Sequence, residues 1–481
     1  MGGHRTKIVA TLGPATGDPE VVGALIDAGV DIARLNFSHG EPAEHVARLE
    51  LARRVAAERG ANLGVLADLQ GPKIRVGMLA GDGYRLPTGG DAELVAGATQ
   101  APPPAVPVTY EHLAEDLAPG DRVLLDDGAI ELEVRSVKGD RVRCLVRRGG
   151  TIRSRKGVNL PGVRVSAPSL TAKDRADLAT SIRAGVEYAA LSFVRRPADV
   201  IEAKQAIADL GGDVPLIAKL ERPEAIGHLD GILEAADGVM VARGDLGVEL
   251  AVEKVPPLQK ELIARANARG VPVITATQML ESMVSSPRPT RAEASDVANA
   301  VFDGTDAVML SQETAIGAYP VEAVATMGRI AAEAEATPSL LHPPPPPGGP
   351  LDVAATVCKA AVQAADDLHA RAIVAFTETG ATARLVSRFR PRAPIVGVTP
   401  HEATRCRMAL YWGVRAVPPI DPCTDMAEMV RQADRRLGSD GLAGGGDLLV
   451  IVAGNPGHRA ATNRVLVHRL GASDLVQLPP K

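Results

Sequence analysis

The stretch GVMVARGDLGVELAVEKVPPLQKELIARANARGVPVITATQ, residues 238–278, spells out one structural repeat. GVMVARGD (238–245) and VPVITATQ (271–278) are short apolar runs that end in polar residues. Between them, PPLQKELIARANARG is amphipathic and closes on Gly270, the residue type that a helix C-cap favours. Strand, helix and strand in this order predict a βα unit of a parallel sheet.

The same beat recurs on either side. KIVATLG (7–13), IARLNFS (32–38), LGVLADLQ (63–70), YAALSFV (188–194), LIAKLE (216–221) and AVMLSQET (307–314) bring the apolar runs to eight. Helix-like segments such as DPEVVGALIDAG and TAKDRADLATSIRAG separate them. Eight βα repeats predict a closed (β/α)8 barrel, an α/β fold. The beat breaks once. PGDRVLLDDGAIELEVRSVKGDRVRCLVRRGG alternates β-like runs with Gly-Asp turns, which predicts a small all-β domain on one barrel loop, placed to act as a lid. HPPPPPGGP (342–350) continues neither helix nor sheet and reads as a stiff linker. AIVAFT, PIVGVT, VRAVPP and DLLVIVAG then predict a second α/β domain. The expected division is residues 1–71 and 167–341 for the two parts of the barrel, 72–166 for the lid, and 351–481 for the C-terminal domain.

Composition narrows the function classes. A chain of 481 residues with 46% hydrophobic content can bury several cores. Its net charge of -5, with signs mixed along the chain, argues against a nucleic-acid stripe or a polybasic membrane surface. An aromatic content of 2% leaves few rings to stack on bases. No stretch reaches the roughly 18 to 20 uninterrupted apolar residues of a membrane span, and MGGHRTKIVATLG lacks the apolar segment of a signal peptide. Cys144, Cys358, Cys406 and Cys423 show no CxxC or Cys/His spacing, so a reducing cytoplasm is expected.

The polar strand ends point to chemistry, because the C-terminal ends of barrel strands form the active site in this architecture. Residues two apart on a strand share a face. Lys219 and Glu221 are therefore expected side by side, as are Arg243 and Asp245, then Arg34, Asn36 and Ser38, then Thr275 and Thr277. Glu221 and Asp245 make a hard oxygen site suited to Mg²⁺, with positions left for substrate oxygens. Arg34 and Lys219 are cations fit to hold a phosphoryl group and to stabilise charge as it transfers. A single such pair is more simply a salt bridge closing the barrel mouth; repetition at the same end of several strands favours a site. His39 alone reads as a loop hydrogen-bonder. Thr290 is an N-cap with Glu293 completing a capping box, and no GxxxxGK[ST] loop is present. In TETGATARLVSRFRP (377–391), Thr377, Thr379, Gly380 and Thr382 form either a phosphate nest or an ordinary helix cap, and the residues leave both open.

TKIVATLGPAT, ARLNFSHG, DLQGPKIRVG, KGVNLPG, ALSFVR, VARGDLGVEL, ITATQMLESM and PRPTRAEASDVANAVFDGTDAVMLS resemble, in this order, the blocks of the pyruvate kinase family. The C-terminal domain resembles that family's effector domain more loosely. The resemblance implies phosphoryl transfer from phosphoenolpyruvate to ADP, followed by protonation of the enolate to pyruvate. It implies Mg²⁺, or Mn²⁺ in its place, on Glu221 and Asp245, and Lys219 stabilising the phosphoryl group. It further implies Arg34 on the phosphate, with Thr277 and the backbone around Arg243 and Gly244 on the carboxylate and proton relay. Arg75, Lys156, Asn36 and His39 are implied as nucleotide contacts. A homotetramer is implied as well; on the nest reading, Thr377, Thr379, Gly380 and Thr382 would take the phosphate of an effector, sugar phosphate and nucleotide alike.

Three residues depart from the family pattern: Gln312 where Gly is usual, Pro223 close behind Glu221, and Lys73. Many members hold K⁺ near the residues matching Asn36, Ser38 and Asp68 and carry Glu where this chain has Lys73. Leu69, Gln70, Lys73 and Val76 together resemble the K⁺-independent subgroup. The expectation is an ammonium beside Asp68 supplying the charge that K⁺ supplies elsewhere. Two rival readings are another Mg²⁺-dependent barrel enzyme acting on an enolate or phosphorylated acid, and a non-catalytic metabolite sensor. ADP-dependent pyruvate release separates the first, and the full set of expected catalytic residues argues against the second.

Overall fold

A computed structural model describes residues 3–81, 83–337, 351–423, 425–454 and 462–471; the proline-rich linker lies outside them. The eight apolar runs become parallel strands Lys7–Thr11, Ile32–Asn36, Gly64–Asp68, Tyr188–Leu191, Leu216–Leu220, Gly238–Ala242, Val273–Ala276 and Ala307–Leu310, closed into a barrel. Val9, Ile32, Leu66, Ile217, Met240, Ile274 and Met309 are buried together, so the barrel interior is a packed core.

Helix starts follow the local signals. Asp18 caps Pro19–Ala28, and Thr171 and Thr290 form capping boxes with Asp174 and Glu293 at the starts of Ala172–Ala184 and Arg291–Phe302. Gly185 and Gly270 close their helices in the left-handed conformation.

The strand ends differ from expectation. The sixth strand stops at Ala242 and Arg243–Glu249 is helical, so Arg243 and Asp245 do not alternate on a strand. The seventh stops at Ala276, and Thr277 has φ of 69°. A pleat would hold these side chains at fixed alternate faces; once the ladder bonds end, the backbone is free to turn them across the mouth.

Between the third and fourth strands, residues from Tyr84 to Asn159 form a six-stranded and a two-stranded sheet around their own core. The outgoing chain turns at Gly71, whose φ is 69° and where a Cβ would lie 2.8 Å from Phe193 and 2.9 Å from Ser192, so only glycine fits. Beyond the linker, Ala372–Phe376, Ile395–Val398, Val414–Ala416 and Leu448–Gly454 pair in parallel. A fifth strand not read from the sequence, Thr462–Arg469, adds antiparallel to Leu448–Gly454. This domain sits at the opposite end of the barrel from the lid: Tyr188, the first residue of its strand, donates its hydroxyl to Arg407 O at 2.7 Å.

Candidate active site

Asp68, the last residue of the third strand, lies at the centre of the mouth and is 1% exposed. Arg34 reaches it with Nη2 at 2.6 Å and Nε at 2.7 Å, and Lys219 Nζ stands 3.1 Å from its other oxygen. Burial alone raises a carboxyl pKa, but Lys219 and Arg34 outweigh it and hold Asp68 below its ordinary value. Arg34 is aimed from its far side by Thr11, whose hydroxyl accepts from Nη1 at 2.8 Å.

Lys219 is shared. Its Nζ is 2.8 Å from Glu221 Oε1 and donates to Ser192 Oγ at 2.8 Å. Burial opposes its charge, yet Asp68 and Glu221 carry its pKa above the ordinary lysine value, so it stays an ammonium. Glu221 accepts the Phe193 N–H at 2.9 Å. Burial, and then the Asp245 charge, push the Glu221 pKa up against Lys219. Asp245 itself has no hydrogen bond or ion pair among the described residues. Two carboxylates that repel each other, one of them unpartnered, suit a hard divalent cation whose remaining positions go to substrate or water oxygens. Among the described residues no group of three or more acidic, His or Cys side chains is placed to hold a metal ion.

Thr277 accepts the Gly244 N–H at 2.7 Å and donates to Ala276 O at 2.6 Å. Arg243 turns away to Asp296 at 2.7 Å and to Thr277 O at 2.7 Å, fixing the seventh strand's end. Phe193, Thr277 and Gln278 all hold positive φ, a strained conformation for side-chain-bearing residues that clusters at functional sites.

A cleft open to solvent separates mouth from lid; Lys73, Asp127, Asn159, Arg195, Arg222 and Asp245 line it. Arg75 and Lys156 flank it, with Arg75 Nη1 on Arg155 O at 3.0 Å and Lys156 on Asp126 at 2.9 Å. Asn36 accepts the Ser38 N–H at 3.1 Å. Burial, then Lys73, Arg75 and Arg34, lower the pKa of His39.

Lys73 does not stand where the sequence placed it. It is exposed, has no ion pair with Asp68, and faces the cleft. Asp68 is buried and already engaged by Arg34 and Lys219, so the turn at Gly71-Pro72 leaves the Lys73 ammonium to the open side. In the C-terminal domain, Thr377 Oγ1 accepts the Gly380 N–H at 2.9 Å and Thr382 Oγ1 pairs with Thr462 Oγ1 at 2.8 Å. Two of the four residues thus spend their hydroxyls within the protein, as caps do, while Thr379 is exposed.

Ser192, the Phe193 N–H, Thr11 and Asp296 escaped the sequence reading as separate groups. Each acts by supporting another side chain, and nothing local in a sequence marks such a role.

Known proteins resemble the chain along nearly its whole length. Residues 3–324 match the family described as pyruvate kinase, barrel domain, and residues 355–468 the one described as pyruvate kinase, alpha/beta domain. The chain belongs to the pyruvate kinase family. It is 47% identical to a pyruvate kinase of Mycobacterium intracellulare over 98% of this chain and 100% of that one. To pyruvate kinase 2 of Synechocystis it is 49% identical over 94% of this chain and 76% of that one. A crystal structure of a pyruvate kinase from Cryptosporidium parvum superposes with a TM-score of 0.89 at 35% identity, over 97% of this chain and 96% of that chain. The activity is accordingly a phosphotransfer between phosphoenolpyruvate and ADP that yields pyruvate and ATP. Membership of the pyruvate kinase family stands against both rival readings, the other Mg²⁺-dependent barrel enzyme and the non-catalytic metabolite sensor.

Proposed function

We propose that the pyruvate kinase reaction runs on Lys219, Arg34 and Thr277, with Glu221 and Asp245 holding Mg²⁺ or Mn²⁺. The observation that carries this reading is the position of Lys219, whose ammonium sits within 3.1 Å of Asp68 and 2.8 Å of Glu221 and keeps its charge at any working pH. A fixed, largely buried cation stabilises charge on a phosphoryl group in transit without reorganising. Arg34, locked between Asp68 and Thr11, binds the phosphate of phosphoenolpyruvate. The Gly244 amide and Thr277 hydroxyl seat the carboxylate, and Thr277 relays the proton to the enolate carbon. A divalent ion on Glu221 and Asp245 supplies Lewis-acid stabilisation of substrate oxygens when bound.

ADP occupies the cleft under the lid, where Arg75, Lys156, Asn36 and His39 contact it. The Lys73 ammonium faces the same cleft and replaces K⁺ by adding its charge there rather than at Asp68. We place the enzyme in the cytoplasm, because all four cysteines are free thiols. Assembly as a homotetramer and a phosphorylated effector at the loop of Thr377, Thr379, Gly380 and Thr382 complete the reading. The deciding experiment is a coupled pyruvate assay with phosphoenolpyruvate, ADP and Mg²⁺ in K⁺-free buffer. Full turnover that added K⁺ leaves unchanged is expected; dependence on K⁺ removes the role given to Lys73, and no pyruvate release removes the whole reading.

A further inference from the structure

Arg222 directly follows Glu221 yet belongs to neither the metal pair nor the phosphate cations. It is 5% exposed, and its guanidinium is fully employed. Nη1 meets Glu249 at 2.7 Å, Nη2 donates to Val163 O at 3.1 Å, and Glu224 lies 3.2 Å away. These partners belong to separate parts of the molecule. Glu249 ends the helix that carries Asp245, and Val163 lies on the segment by which the chain returns from lid to barrel. Arg222 therefore ties together the two elements bearing Glu221 and Asp245 and the root of the lid.

The return segment is fixed from both sides. On the barrel side, Arg195, just past the fourth strand, donates to Val165 O at 2.5 Å, beside the Arg222 contact to Val163 O. On the lid side, Asp116 accepts the Ser166 N–H at 2.9 Å, and the Tyr110 hydroxyl accepts those of Ser166 at 3.1 Å and Ala167 at 3.2 Å. The outgoing segment is tied to the barrel at its hinge by the Gly71 N–H on Asp174 at 3.0 Å and by Ser192 Oγ, which donates to Leu69 O at 2.7 Å. Arg222, Arg195, Asn159 and Val165 also wall the cleft, so moving this segment changes the cleft's width. Glu249 is nearly fully buried and Arg222 is its close cation, while Asn159 of the lid faces its carboxylate. An arginine suits this place because its planar fork serves a carboxylate and a carbonyl at once, which a lysine ammonium does with less geometric constraint.

We propose that Arg222, with Glu249 as its counter-ion, is a positioning residue that docks the lid onto the barrel through the return segment Val163–Ala167 and so sets the cleft in which the nucleotide is held. The docking follows from the contacts alone; its kinetic consequence rests on the nucleotide placement proposed above.

The test is hydrogen–deuterium exchange of the full-length protein, with steady-state kinetics on the same samples. In Arg222→Ala, amides of residues 162–168 are expected to exchange about tenfold faster, the scale of losing one charge-assisted hydrogen bond, with barrel-strand amides unchanged. KM for ADP is expected to rise about fivefold, KM for phosphoenolpyruvate by less than twofold, as loss of nucleotide positioning requires. Arg222→Lys should recover part of both effects. Glu249→Gln keeps an acceptor while freeing the guanidinium; it should reproduce the faster exchange in milder form and serves as the probe if Arg222→Ala does not fold. Unchanged exchange in 162–168, or exchange that accelerates uniformly across the barrel, overturns the proposal. Faster exchange confined to 162–168 with KM for ADP unchanged supports the docking and overturns the nucleotide placement.

Discussion

Lys219 and Lys73 differ in what surrounds them, and that difference sets their roles. Lys219 is held by Asp68, Glu221 and Ser192, so it is an ordered charge aimed at the mouth. Lys219→Ala should lower kcat by about 10³-fold or more, the scale of removing a preorganised charge from a site of this kind. Mn²⁺ binding followed by paramagnetic resonance should persist, because Glu221 and Asp245 remain; full retained turnover would refute the role. Lys73 has no such anchors. Lys73→Glu should make turnover respond to K⁺ in the coupled assay, and an unchanged salt profile would count against the substitution of ammonium for K⁺. At this scale the residue types were legible from spacing, since Lys219 and Glu221 fall two apart at a strand end. Their supports were not: Thr11 reaches Arg34 and Ser192 reaches Lys219 from strands distant in sequence.

Elements were readable where their signals are local. Thr290 and Glu293 form the expected capping box, and Glu293 additionally accepts from Ser282 N–H at 2.7 Å, which pins the loop after the seventh strand to the helix Arg291–Phe302. Thr290→Ala should cost about 1 kcal/mol of stability, read from denaturant unfolding. Burial would raise the Glu293 pKa, but hydrogen bonds from Ser282 and Thr290 lower it from its ordinary 4.5. A carboxylate with a depressed folded pKa contributes stability above the unfolded value and loses it as pH falls through the folded one. The advantage of the native protein over Glu293→Gln should thus be constant near neutrality and shrink below about pH 4.5; melting curves taken from pH 7 to pH 3 check the sign, and a gap that widens in acid contradicts it. Pro223 takes the first turn of the helix Pro223–Gly227, as its residue type predicts. The sixth and seventh strand ends were misread because apolar runs do not mark where ladder pairing stops, and a helix of seven residues at Arg243–Glu249 carries no periodic signal long enough to see.

Across the whole molecule, arginines that reach backbone carbonyls fasten both outer domains to the barrel. Arg195 and Arg222 hold the lid's return segment, Arg5 on Pro391 O and Arg390 on Gly304 O hold the C-terminal domain, and there an enclosed ion pair is added. Arg390 meets Asp306 at 2.9 Å and stacks over Trp412 at 4.7 Å, and Asp306 also accepts the Val273 N–H at 2.8 Å. Burial pushes the Asp306 pKa up and Arg390 opposes it. Arg390→Met should destabilise the protein by about 3 kcal/mol, because it leaves a buried carboxylate without its cation. Adding Asp306→Asn should recover much of that loss in calorimetry, and a double variant no more stable than the single one would remove the pair from this role. The sequence by itself determined the eight βα repeats, the inserted β segment, the helix caps and the carboxylate and cation types at the mouth, since periodicity, turn chemistry and residue spacing act over a few neighbouring residues. Only the tertiary structure decided that Asp68 belongs to Arg34 and Lys219 rather than Lys73, and that Arg222 spans three elements. Those contacts join residues far apart in the chain, where burial and competition for partners choose the pairings and no local pattern records the outcome.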